Sequence, residues 1–211
     1  MDASEKVMGA ANWITLSRLP LLLIFVIGIY FGSPLVKLIM APLLLVFMLL
    51  DTVDGIVARA TGTESLAGSV LDIAMDRVYE LVLWVVMADL GVIPVAIPLI
   101  VIARTTLTDA LRSFGVRKGE RPFEQQLSKL GRFMVGSPWM QTGYSVTKLL
   151  AFGGLTLGVA LGSYPEETRM HAASPALLHI SVIISWLAVA FCLARGFPVI
   201  VGMSRRSRGA V

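Results

Sequence analysis

The sequence predicts an all-α integral membrane protein with six transmembrane helices, and three observations carry that prediction. Of its 211 residues 56% are hydrophobic and only 15% are charged. With a mean hydropathy of +0.79, that is too apolar for an ordinary soluble domain. Six apolar stretches each reach the roughly 20 residues that a bilayer crossing requires. Most lysines and arginines gather at the ends of those stretches, where the positive-inside rule places them.

In chain order, residues 3–11 are expected to form a short N-terminal surface helix, with Val7, Met8 and Ala11 on its apolar side. The spans are then expected at 13–32, 34–60, 66–90, 93–114, 139–162 and 175–202. Gly32-Ser33-Pro34 divides the first two, Asp89 to Pro94 the third from the fourth, and Ser163 to Pro175 the last two. Residues 115–138 form the longest and most polar loop, opening Gly115-Val116-Arg117-Lys118-Gly119. A single membrane domain over 1–211 follows, with 1–11 as a juxtamembrane segment and 139–203 holding the last helices. Met1 to Val7 lacks a basic start before a small-residue cleavage site, so no removable signal peptide is expected. The lone Cys192 cannot form a disulfide within the chain.

Placing the N-terminus inside gives the cytoplasmic face Lys6, Arg18, Arg59, Arg117, Lys118, Arg121, Lys129, Arg132, Arg205, Arg206 and Arg208. The other face keeps Lys37 and Arg169. Both termini are therefore expected in the cytoplasm. The net charge of +4 does not point to nucleic acid, because basic residues at span ends ordinarily meet anionic lipid.

Against this apolar background stands the run Asp51-x2-Asp54-Gly55-x2-Ala58-Arg59-x8-Gly68-x3-Asp72-x3-Asp76. A carboxylate at membrane depth costs about 2.5–3.5 kcal/mol on insertion scales and usually faces a cavity or a partner. Positions 51, 54 and 58 share one helix face, as do 68, 72 and 76, and Gly62 lets the chain turn between them. Converging oxygen ligands suit Mg2+ or Mn2+ rather than zinc, and Arg59 suits phosphate. Acids merely solvated at a loop would explain neither the Gly and Ala positions nor the spacing.

This pattern resembles, residue for residue, the signature of the CDP-alcohol phosphotransferases, integral membrane enzymes of phospholipid head-group synthesis. The resemblance implies transfer of a phosphatidyl group from CDP-diacylglycerol to a hydroxyl of a small polar alcohol, releasing CMP. It implies two Mg2+ (or Mn2+) ions per active site, held by Asp51, Asp54, Asp72 and Asp76, with Asp76 also the general base. Gly55, Arg59, Ser65 and Gly68 would contact the CDP part. Asn12, Thr15 and Arg18 resemble a shorter family segment, Asn-x2-Thr-x2-Arg, lining the same nucleotide pocket. Residues 12–114 would thus hold the CDP- and metal-binding helices, with 115–138 a cytoplasmic loop. Homodimers are also what the resemblance implies. The chemistry agrees: cations offset charge built on a diphosphate, and a positioned carboxylate helps a weakly nucleophilic alcohol.

For the acceptor, Arg104 lies mid-span, Arg112 two turns on, and Lys148 in the next span, so a basic pocket for a phosphorylated alcohol is expected. Arg104 could instead pair with Asp109 or Glu80, Arg77 with Glu80, and Arg195 could snorkel. The stretch Ile102-Ala103-Arg104-x7-Arg112 resembles synthases that use glycerol 3-phosphate, which is the expected acceptor. Yet Ile73 and Arg77 replace the Pro and Lys usual there, and Gly143-Tyr144-Ser145-Val146-Thr147 lacks two lysines. Asp76-Arg77 with Glu80 looks more like enzymes that use inositol phosphate, so that or another polar head group is the alternative. A cation transporter using the aspartates as an ion path is the non-enzyme alternative.

The remaining conspicuous residues take plainer readings. His171 and His179 have no companion at metal-ligand spacing, the methionines are gap-fillers, and Trp13, Trp139, Trp186 and Tyr164 fit interfacial or packing positions. Gly153-Gly154 and Gly158 suggest a close helix contact or a dimer seam.

Overall fold

An apolar stretch in hydrocarbon can satisfy its backbone groups only within itself, so helix is its expected form. The computed structural model describes residues 10–61, 66–117 and 137–208, and within them the side chains of all but 10–17, 49–61, 66–69, 71, 112–117, 138 and 199–208. All regular secondary structure among the described residues is helical: α1 (Ala10–Phe31), α2 (Pro34–Thr61), α3 (Leu66–Asp89), α4 (Ala96–Arg117), α5 (Pro138–Gly162) and α6 (Arg169–Arg208). Most of the expected surface helix and of the 115–138 loop falls outside the described residues.

The helix ends follow local chemistry. Ser33 Oγ accepts the Val36 N–H at 3.4 Å, an N-cap followed by a proline in the first helical position of α2. Gly91, at φ 71°, closes α3: its N–H reaches the Ala88 carbonyl, and that of Val92 reaches Met87, the paired bonds of a Schellman cap. α4 begins at Ala96 rather than 93, because Pro94 holds Ile93 out of helical backbone. α6 begins at Arg169 rather than 175. There Thr168 Oγ1 caps the His171 N–H at 3.2 Å, and His171 Nδ1 bonds the Tyr164 carbonyl.

Two compact units divide the described chain. The first holds α1 to α3, α5 from Phe152 and α6 up to Ile180. Within it α1 packs on both α2 and α3. The Tyr30 hydroxyl donates to Asp89 Oδ2 near the ends of α1 and α3, and Arg18 meets Asp72 and Tyr79 nearer their starts. These attachments ascend both helices in the same order, so α1 and α3 run parallel. Phe25, Ile29, Leu44, Leu83 and Met87 are buried in this unit. Trp84 packs against Phe152 with the rings tilted by 49° and their centroids 4.3 Å apart.

The glycines of α5 mark close helix contacts within the chain. A Cβ on Gly153 would stand 2.9 Å from Leu45 Cδ2, and one on Gly158 would stand 2.5 Å from Leu178 Cδ2. Ser174 Oγ donates to the Gly158 carbonyl at 2.8 Å. Gly158→Ala is therefore expected to destabilise the protein by roughly 1–3 kcal/mol through overpacking, read as a lowered thermal midpoint. Gly28→Ala meets the flexible Met40 side chain instead and should cost less in the same assay.

The second unit holds α4, α5 up to Ala151 and α6 from Ser181. Ile97, Val101, Ala188, Val189 and Cys192 are buried in it. A Cβ on Gly143 would lie 3.3 Å from the Phe191 ring, so α5 and α6 approach closely there.

Among the described residues, two helical segments are long and apolar enough to cross a membrane, Trp139–Gly162 and Arg169–Pro198, while Arg18–Phe31 and Pro34–Met48 are apolar but shorter. On this measure two of the six expected spans stand out. α3 is interrupted by the charges of Asp72, Asp76, Arg77 and Glu80. Leu23, Ile27, Ile183 and Phe197 face outward, an apolar exterior of the kind a lipid environment accommodates.

Candidate functional site

The first unit presents its acids along α3. Asp72 and Asp76 are four residues apart and share a face. Asp76 is exposed, and the Asp72 side chain is 44% exposed. Arg18 is buried, and its Nη1 donates to Asp72 Oδ1 at 3.3 Å. A buried guanidinium requires a counter-charge, and Asp72 supplies one from the neighbouring helix. The backbone at the same position is also held: the Tyr79 hydroxyl donates to the Arg18 carbonyl at 2.7 Å. Arg77 points to Glu80, with Nη1 3.7 Å from Oε2. Glu80 is buried, and Arg77 compensates its carboxylate.

Tyr79 did not enter the sequence reading. Its signal was present, since 72, 76 and 79 follow the i, i+4, i+7 rule on one helix face. A tyrosine in an apolar span, however, ordinarily reads as packing.

The structure thus brings Arg18 to Asp72, with Asp76 one turn further along α3. The side chains of Asn12, Thr15, Asp51, Asp54, Arg59 and Arg112, and the surroundings of Gly55 and Gly68, lie outside what the structure describes, although the backbone at these positions is helical. Ser65 lies outside them altogether. Among the described residues no three His, Cys, Asp or Glu side chains gather as a metal site, since α3 contributes two of the four aspartates. What it contributes suits a hard divalent cation: paired carboxylate oxygens on one face, accessible to a ligand.

The second unit carries a cationic cluster. Lys148 Nζ lies 4.6 Å from the Tyr144 ring centroid, and Arg195 Cζ lies 5.7 Å from it, within cation–π reach. Arg195 thus packs against an aromatic ring of α5. Arg104 lies along α6 at Gly196, where a Cβ would stand 2.5 Å from its Nε. That Nε is buried and meets no hydrogen-bond acceptor among the described residues. Leaving such a donor unmet costs about 1–3 kcal/mol.

Comparison with protein families gives a match over residues 8–194 to the model described as CDP-alcohol phosphatidyltransferase. Comparison with curated proteins finds no match, and comparison with solved structures finds none.

Proposed function

The chain belongs to the CDP-alcohol phosphatidyltransferase family, and from that premise we propose that it moves the phosphatidyl group of CDP-diacylglycerol to the hydroxyl of glycerol 3-phosphate. CMP is the other product, and the pathway is phospholipid biosynthesis. The protein works in the cell membrane as a six-span homodimer, with both termini and the active site toward the cytoplasm. The observation that carries this reading is the contact of Arg18 with Asp72. It joins the short N-terminal segment to the aspartate signature, as one nucleotide–metal site requires.

Asp51, Asp54, Asp72 and Asp76 would hold two Mg2+ or Mn2+ ions, which supply positive charge against the diphosphate and the leaving CMP. Arg18 and Arg59 offer forked donors to phosphate oxygens, and Asn12, Thr15, Gly55, Ser65 and Gly68 shape the CDP seat. Arg18 keeps Asp72 oriented through its guanidinium and is itself fixed by Tyr79. Asp76 accepts the acceptor's hydroxyl proton as the new P–O bond forms and the bond to CMP breaks. Arg18→Ala is expected to raise the KM for CDP-diacylglycerol by about tenfold or more, as loss of a charged hydrogen bond does. Steady-state kinetics at saturating acceptor check this.

Arg104, Arg112 and Lys148 support a phosphorylated acceptor. The Arg77–Glu80 pair keeps inositol phosphate as a second reading, because Asp76-Arg77 with Glu80 is the run that resembles enzymes using it. Labelled CDP-diacylglycerol incubated with a panel of alcohols tests both. CMP release with glycerol 3-phosphate alone supports the proposal, and release with inositol phosphate alone supports the second reading. Ion flux with no CMP from any alcohol would return the aspartates to a transport role.

A further inference from the structure

Lys148 and Arg195 come from different helices yet meet the same aromatic ring. Tyr144 is buried at 6% exposure and stands one turn before Lys148 on α5, so Lys148 folds back over it. Arg195 arrives from α6, whose approach at this level is fixed by Gly143 against Phe191. One residue beyond Arg195, the missing side chain of Gly196 makes room for Arg104 from α4. Cations from three helices thus each lie against one of two uncharged residues, Tyr144 or Gly196.

The ring face attracts Lys148 and Arg195. Close packing against a bare stretch of helix backbone holds Arg104, whose buried Nε still points to no acceptor oxygen among the described residues. A phosphomonoester dianion offers oxygens to several cationic donors at once, and a neutral alcohol does not.

We propose that Tyr144 and Gly196 are positioning residues for the phosphate of the acceptor, the ring aligning Lys148 and Arg195 and the glycine seating Arg104. This rests on the phosphorylated-acceptor reading above and adds the two residues that make the cations act together.

The test uses the full-length enzyme in lipid nanodiscs with glycerol 3-phosphate (or inositol phosphate, if that is the active acceptor). Tyr144 is replaced by phenylalanine and then by phenylalanines of increasing fluorination, which weaken the ring face while keeping its size. With Tyr144→Phe as the reference, the acceptor KM should climb stepwise by about three- to tenfold along the fluorinated series. The donor KM and the thermal midpoint should not follow. Gly196→Ala should raise the acceptor KM, and adding Arg104→Met to it should raise it no further, a non-additive cycle.

A flat acceptor KM along the fluorinated series, or full additivity at Gly196 and Arg104, overturns the positioning role. The underlying reading fails separately: if Arg104→Met, Lys148→Met and Arg195→Met all leave the acceptor KM unchanged, the cluster does not bind acceptor. If those three raise it while Tyr144 and Gly196 variants do not, only the positioning role is lost.

Discussion

Asp76→Asn is expected to cut CMP release by about 10²–10⁴-fold, the usual contribution of a general base, while the protein remains inserted and folded. The side chain is exposed on α3, and asparagine keeps its size, so no core packing is disturbed. What changes is chemical: an amide cannot take a proton from the acceptor hydroxyl and is a poorer ligand for a hard cation. Turnover is measured as CMP formed from CDP-diacylglycerol at saturating acceptor, beside the thermal midpoint. Wild-type turnover in a folded Asp76→Asn enzyme removes Asp76 from the role of base.

Thorough chelation should take CMP release to background, and added Mg2+ or Mn2+ should restore it. Under the proposed assignment the donor set is four carboxylates, which offer only oxygen and so suit a hard divalent cation. A second readout is independent of turnover. An ion that binds the folded protein raises its midpoint by mass action, so Mg2+ should stabilise the wild type and do so less in Asp72→Asn. Full activity after chelation, with no shift of midpoint on adding metal, removes the ions from the reaction.

The helices were legible in the sequence because hydrophobic length is a direct physical signal, and α1, α2, α3 and α5 begin and end within a few residues of expectation. The ends that moved did so for local reasons. Pro94 delayed α4, and the Thr168 cap let α6 start well before Pro175. The candidate site stands in the sequence as a pattern of acids, but its partners do not. That Arg18 would meet Asp72 is a contact across 54 positions, which no periodicity encodes. Arg77 turning to Glu80 was readable from their spacing of three. The attachment of Arg195 to Tyr144 was not, because a cation near a span end reads equally well as reaching for water. The glycines of α5 left a choice between an internal contact and a dimer seam, and Leu45 and Leu178 answer it for Gly153 and Gly158.

The parallel pair α1 and α3 is fastened at two heights, by Asp72 and Tyr79 on Arg18 and by Asp89 on Tyr30. Along α1 those heights are separated by about 18 Å at 1.5 Å per residue. A slip of one helical turn, about 5.4 Å, would break both fastenings together, so the two rods behave as a single calliper with a fixed gauge. Under the proposed assignment its jaws are Arg18 and the α3 acids. The gauge then belongs to the protein before any lipid arrives, and donors differing only in acyl length should be measured alike at their diphosphate.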